Sequence, residues 1–322
     1  MPGERALPRQ SRLDPLPDRP LISVVIPSFN QGRFIKQTID SILNQPHRPI
    51  EIIVVDGEST DETLQVLQSY ADCQEVQWTS EPDDGVVDAV NKGFQRVNGD
   101  IIAIQSSDDC YLPNAFEHIM KAFSDDDHLG LVYGDTVKVD AHGQELARYR
   151  SGPFGLESLF LFRTWIPQPA AFFRRQVLHT VGGWDARIPY TPDTDLWIRM
   201  AFRTRVRKVD EFLATRRMHD EQRDQHAQRI IRDYTKMIEQ SADIKVAPFR
   251  LRRAAHAGKY LLRVRYNPSG STLYSAWNLL RAAIAFPRCF DPKRFFLTVC
   301  YYPVHRGLSR LKRLCMHLSP GT

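Results

Sequence analysis

Two uninterrupted apolar runs rich in β-branched residues, Leu21-Ile22-Ser23-Val24-Val25-Ile26 and Ile50-Glu51-Ile52-Ile53-Val54-Val55, constrain this chain more than any other feature. Runs with almost no polar alternation are the pattern of strands buried on both faces, as in a parallel sheet covered by helices on each side. Between them Phe34, Ile35, Thr38, Ile39, Ile42 and Leu43 recur at helical spacing, closed by Gln45-Pro46. After the second run, Ser59-Thr60-Asp61-Glu62 reads as a capping box, with Ser59 as N-cap and Glu62 at N3, opening a helix to about Tyr70. A short strand over 75–79, a helix over 85–97 and the apolar run Ile101-Ile102-Ala103-Ile104 continue the alternation. The expected class is α/β with a mostly parallel sheet, and ligands then bind outside the carboxyl ends of the strands.

Polar residues collect at those ends: Pro27-Ser28-Phe29-Asn30 after the first strand, Asp56 after the second, and Ser107-Asp108-Asp109 after the run at 101–104. Adjacent carboxylates at a strand end can hold a divalent cation against a diphosphate. An acidic doublet, a cap or a turn residue is also the ordinary reading of each taken singly. No GxGxxG follows the first strand and no GxxxxGK[ST] occurs, which argues against dinucleotide dehydrogenases and P-loop enzymes. The five cysteines lack CxxC spacing, which points to a reducing compartment and away from a zinc site.

Charge divides the chain. Residues 245–322 hold 15 Lys/Arg and the single acid Asp291, whereas residues 1–244 hold 28 Lys/Arg against 37 Asp/Glu. A basic segment interleaved with aromatics on an acidic body suits anionic lipid, and no nucleic-acid recognition module accompanies it. Beyond about Arg223 helical spacing takes over, as in Ile230-Ile231, Tyr234 and Met237-Ile238. The segments 259–266 and 295–302 mix cations or polar groups with bulky apolar residues and suit an interfacial helix, and neither is long enough to span a bilayer. Leu273 to Pro287 is also too short to span and contains Arg281. A helical cap or a homodimer element stays open for the same region. Residues 1–20, with five prolines, four arginines and no apolar core, read as a disordered tail.

The motifs Val24-Val25-Ile26-Pro27-Ser28-Phe29-Asn30, Val54-Val55-Asp56-Gly57-Glu58-Ser59-Thr60-Asp61, Ser80-Glu81-Pro82-Asp83-Asp84-Gly85, Asp88-Ala89-Val90-Asn91-Lys92-Gly93 and Ser107-Asp108-Asp109, taken in this order, resemble the inverting family 2 glycosyltransferases of GT-A fold. The resemblance continues through Gln168-Pro169-Ala170-Ala171, Gly182-Gly183-Trp184-Asp185 and Asp193-Thr194-Asp195-Leu196-Trp197, and covers about residues 21–222. It implies a catalytic domain over 21–225 followed by a helical basic extension over 226–322. Pro27, Ser28, Asn30, Asp56, Asp88, Lys92 and Asp108 would then bind the nucleotide-sugar donor, and Asp109 would hold Mn²⁺ or Mg²⁺. His219 matches a position where relatives place a histidine near the metal and pyrophosphate. Asp193 would be the base that takes the acceptor proton, unless it merely caps its helix; Pro192 stands where the family motif has an acid. Trp165, Gln168 and Trp184 would shape the acceptor site or pack in the core. Lys92 and Arg174 could contact phosphate or acceptor, or be solvated.

The implied activity is metal-dependent inverting transfer of a sugar, from a UDP-sugar by family frequency, to a glycan or lipid-linked acceptor. The implied setting is cytoplasmic, peripheral to the inner membrane face. Two other classes remain at the level of sequence: a catalytically silent nucleotide-sugar-binding scaffold, and a sugar nucleotidyltransferase, which would want a glycine-rich basic loop where Pro27 to Phe34 offers one glycine and Arg33.

Overall fold

A computed structural model of the chain describes residues 13–218 and 226–289. They divide into two compact units, residues 13–156 with 164–218, and residues 157–163 with 226–289.

The larger unit is built on one sheet. Its first half alternates β1 (Ile22–Ser28), α1 (Gly32–Leu43), β2 (Ile50–Asp56), α2 (Thr63–Gln68), β3 (Val76–Ser80), α3 (Val86–Phe94) and β4 (Ile101–Ile104). These four strands pair in parallel in the order β3-β2-β1-β4. All seven residues of β2 are buried, the five apolar ones as a strand covered by helices on both faces requires, and Glu51 and Asp56 with hydrogen-bond partners of their own. Phe34, Ile35, Thr38, Ile39 and Ile42 of α1 are buried, and Ile35, Ile39 and Ile42 join a cluster with Val24, Ile26, Ile52 and Val54. The opposite face takes α3, where a Cβ added at Gly93 would lie 2.3 Å from Val25 Cγ1, so glycine sets the closeness of helix and sheet. β1 runs on through Pro27, which the sequence suggests as its stop. The β1–β4 ladder ends at the Val25–Ile104 pair, so Pro27 falls past the end of that ladder.

The second half adds α4 (Ala115–Ser124), β5 (Leu129–Val139), β6 (Glu145–Tyr149), a 3-10 turn over Gln168–Ala170, β7 (Ala171–Arg174), α6 (Arg175–Val181), α7 (Pro192–Ala201) and β8 (Arg205–Arg217), while α5 (Leu156–Phe160), which follows β6 in sequence, belongs to the smaller unit from residue 157 on. β7 is antiparallel to both β4 and β5, β6 is antiparallel to β5, and β8 runs parallel to β5. The sheet is therefore mostly parallel with antiparallel members in its second half, the α/β class expected.

Ser59 and Glu62 do not form a capping box: α2 starts at Thr63, and Ser59 bonds to Asp56 instead. Arg174 ends an antiparallel strand and pairs with Ile101, the first residue of β4, so it lies beside the amino end of β4, opposite the strand ends where phosphate was expected. There it is buried and its Nη1 donates to the Asp14 carbonyl at 2.5 Å. Of the expected disordered tail, residues 1–12 lie outside the described residues, while Leu13 is buried and the Asp14 N–H donates to Gln176 Oε1.

The smaller unit holds α8 (Ala227–Gln240), α9 (Ala242–Val246), α10 (Phe249–Tyr266) and α11 (Thr272–Ala285). α8 buries Ile230, Ile231, Tyr234, Met237 and Ile238, the face read from sequence. Segment 259–266 does not present the interfacial surface expected of it: Leu261, Leu262 and Val264 are buried within α10, and Lys259 pairs with Glu239 at 2.7 Å. Segment 295–302 lies outside the described residues. Among the described residues, no helix is long and apolar enough to cross a membrane.

Candidate active site at the carboxyl ends of the strands

The β1–α1 and β2–α2 loops are stitched together. Asn30 stands in the left-handed region at φ 53°, and its N–H donates to Ser59 Oγ at 2.7 Å. The next two N–H groups follow the same course, Gln31 to Thr63 Oγ1 at 2.9 Å and Gly32 to Asp61 Oδ2 at 3.0 Å. The donors at and just before the α1 N-terminus are thus taken by side chains of the segment that follows β2. Asn30 Oδ1 accepts in turn from the Thr60 N–H at 2.9 Å.

Asp56 is fully buried and braces this arrangement. Its carboxylate accepts from Ser59 Oγ at 2.5 Å, from the Ser59 N–H at 2.9 Å and from Ser80 Oγ at 2.7 Å. Three of roughly four acceptor positions are filled from within the chain, so at most one remains for a nucleoside. Ser28 is buried and its Oγ has no partner among the described residues. Phe29, missed by the sequence reading, is 59% exposed between Ser28 and Asn30. An aromatic ring exposed at a strand end can stack on a planar ring. The signal was present in its position directly after a buried strand.

Asp108 and Asp109 follow β4. Asp109 is buried, and its Oδ1 accepts from the Arg217 N–H at 2.7 Å. Burial first, and the neighbouring Asp108 second, hold its carboxyl well above the usual carboxylate range, against the pull of Arg216 and Arg217. The Arg217 side chain closes over the turn: Nε donates to the Asp108 carbonyl at 2.8 Å, Nη1 to the Ala141 carbonyl at 3.2 Å and Nη2 to Gln37 Oε1 at 2.9 Å. Arg217 also escaped the sequence reading, because nothing local marks the end of β8 as a neighbour of Asp109. His219 lies outside the described residues, and among those described no three His, Cys, Asp or Glu side chains form a metal-binding group. A buried carboxyl at Asp109, beside the partly buried Asp108, fits a cation that takes its other ligands from a diphosphate.

Asp88 and Lys92 sit on one face of α3, 3.1 Å apart. The Lys92 ammonium also donates to the Pro82 carbonyl at 2.7 Å, so it ties α3 to the loop after β3. Gln168 reaches the β4 end: its Nε2 donates to the Ile104 carbonyl and its Oε1 accepts from Ser106 Oγ at 3.3 Å. Trp165 is half-buried under the Arg216 guanidinium, 5.7 Å from its ring centre. Trp184 is buried, and its indole N–H has no acceptor among the described residues.

Asn91 holds the Trp184 peptide from both sides, accepting from the Trp184 N–H at 2.8 Å and donating to its carbonyl at 2.9 Å. Arg199 of α7 grips the same loop through the carbonyls of Val181, Gly182 and Gly183, and is itself held by Asp195 at 2.6 Å. Asp195 is thus structural. Asp193 is half-buried in the first turn of α7, whose N-cap position is Thr191. A negative side chain is favoured at that end of a helix.

The sequence model of glycosyl transferase family 2 matches residues 23–182. An uncharacterized glycosyltransferase of Rickettsia felis is 28% identical over 212 residues, 63% of this chain and 35% of its own length. The chain spans about a third of the length of the first Rickettsia relatives it matches. The structure of Staphylococcus aureus TarS 1-349 in complex with UDP-GlcNAc superposes with a TM-score of 0.63 at 15% identity, over 86% of this chain and 83% of that one. The mannosyltransferase PcManGT of Pyrobaculum calidifontis, in complex with GDP-Man and Mn²⁺, superposes with a TM-score of 0.60 at 19% identity, over 93% of this chain and 89% of that one. The fold is therefore that of the GT-A glycosyltransferases. This chain belongs to glycosyl transferase family 2.

Proposed function

We propose that the chain is a metal-dependent inverting glycosyltransferase that moves a sugar from a nucleotide-diphosphate donor, a UDP-sugar first, to a hydroxyl of a glycan or lipid-linked acceptor. The observation that carries this reading is the buried Asp109, fixed by Arg217 at the same strand edge as Ser28, Asn30 and Asp56. The donors bound to TarS and PcManGT, and the Mn²⁺ of the latter, support it.

Phe29 offers its face to the base, and Ser28, Asn30 and the remaining acceptor position of Asp56 line the nucleoside pocket. Asp108 lies toward the ribose. Asp109, with His219, would hold Mn²⁺ or Mg²⁺, which when bound stabilises the departing diphosphate as a Lewis acid. Asp88 and Lys92 shape the donor side through the loop at 81–85. On the acceptor side Trp165, Gln168 and Trp184 shape the site for the incoming sugar, and Asp193 takes its hydroxyl proton. A carboxylate so placed contributes roughly 10²- to 10⁴-fold. Attack from the face opposite the leaving group needs no enzyme nucleophile and inverts the anomeric centre. The basic C-terminal part holds the enzyme at the inner membrane face.

The test is release of nucleoside diphosphate from a panel of UDP-, GDP- and dTDP-sugars with Mn²⁺ and candidate glycan acceptors. Release with one donor, lost in Asp109→Asn and in Asp193→Asn, supports the reading. Release that persists in both variants contradicts it.

A further inference from the structure

Helix α11 is inverted relative to a water-facing helix. It buries Ser275, Asn278 and Ala282, and turns outward Leu273, Trp277, Leu280 and Ile284, which are 83, 60, 50 and 67% exposed. At about 100° per residue these four fall within an arc of about 60°, on the side away from the buried three. The buried polar groups are accommodated locally, since Asn278 Nδ2 donates to the Tyr274 carbonyl at 2.8 Å. Scattered exposed apolar residues need no explanation, but a continuous stripe of this kind marks a contact surface.

The surrounding charge selects the partner. Residues 245–289 contain nine Lys/Arg and no Asp/Glu. Arg253 donates to the carbonyl oxygens of Ile284 and Ala285, which places a cation at the C-terminal end of the stripe. Arg281 follows Leu280 and lies 4.4 Å from the Tyr260 ring centre. Exposed Phe249 carries Arg252 and Arg253 over its ring, a second place where cations border an exposed apolar group. A second copy docked symmetrically would set these cations against their own images. Residues 290–322, with six Lys/Arg and the single acid Asp291, carry the same sign. An anionic phospholipid surface accepts both parts, with the apolar stripe in the acyl boundary and the cations among the headgroups. α11 is 14 residues long, so it lies in the interface and does not span.

We propose that the Leu273, Trp277, Leu280 and Ile284 face of α11 docks this chain on an anionic lipid surface. The inference deepens the membrane part of the proposed function and needs no donor, so its test is separate from that of the active site.

The full chain is sedimented with vesicles of phosphatidylcholine alone and of an equimolar phosphatidylcholine and phosphatidylglycerol mixture. Binding to the mixed vesicles is expected, weakening as salt screens the headgroups. Trp277→Ser combined with Leu280→Ser should lower the vesicle partition coefficient by about tenfold or more. The same variant should keep its lipid-free thermal midpoint, because both side chains face solvent. Failure of the full chain to bind, or equal binding by the variant, overturns the proposal. So does a fall in the variant's lipid-free midpoint or a change in its sedimentation coefficient, which would show the stripe covered by residues 290–322 or by a second copy.

Discussion

The Arg217 N–H donates to Asp109 Oδ1 at 2.7 Å across 108 positions of sequence, so the end of β8 sets the rotamer of the acid that follows β4. Arg217→Met keeps that backbone donor but frees the carbonyls of Asp108 and Ala141 and the Gln37 amide oxygen. Loss of several hydrogen bonds from a buried cation should cost about 2–4 kcal/mol of stability in urea unfolding. Nucleotide affinity in the presence of Mn²⁺ should fall as well. An unchanged affinity would separate Arg217 from the acid pair.

Asp193→Asn retains size and polarity in the first turn of α7. With Asp193 proposed as the base, its loss should lower kcat by roughly 10²- to 10⁴-fold while donor binding stays as it was. Steady-state kinetics with saturating donor, alongside donor titration, makes the comparison. A loss confined to donor affinity would move Asp193 out of the role of base.

At Gly183 a Cβ would stand 2.3 Å from Asn91 Oδ1. Gly183→Ala should therefore break the paired hydrogen bonds between Asn91 and the Trp184 peptide, at a cost of about 1–3 kcal/mol. Acceptor KM should rise while donor KM holds, because the displaced loop carries Trp184. Equal rises in both would contradict the assignment of that loop to the acceptor.

Asp61 joins two helix starts, accepting from the Gly32 N–H and from Thr63. Its partial burial acts to raise the carboxyl, but the bonds from Thr63 and Gly32 outweigh it and hold the group below its ordinary 3.8. The folded state thus binds this proton less readily than the unfolded state. Its contribution is fully present above pH 3.8 and is lost as pH falls through the lower folded value. The stability gap between the native chain and Asp61→Asn, measured by thermal melts, should be constant near neutrality and narrow on acidification below 3.8. A gap that widens in acid would contradict the linkage.

The parallel core was legible because burial on both faces writes itself as uninterrupted apolar sequence, as in β2, and the acid pair was legible because it closes such a run. What failed to show were partners distant in sequence. Ser59 has the local pattern of an N-cap, yet its hydroxyl serves Asp56 and Asn30. Arg174 displays its charge but not the direction of its strand, and antiparallel pairing carries it to the amino end of β4. Segment 259–266 shows cations and apolar groups together, but packing within the helical unit buries the apolar ones. In α11 length excluded a span, whereas the outward turn of Trp277 and Leu280 needed the packing of Ser275, Asn278 and Ala282 to be seen.

The central claim is a nucleotide pocket completed by a cation at Asp109. Thermal stabilisation of the intact chain and of Asp109→Ala by UDP, GDP and dTDP, each with and without Mn²⁺, tests it most directly. At 100 times its dissociation constant a ligand adds about 2.7 kcal/mol to stability, enough for a clear shift. A Mn²⁺-dependent shift is expected with one nucleotide, UDP first, and it should disappear in Asp109→Ala. A shift that survives in the variant, or no shift with any nucleotide, would contradict it.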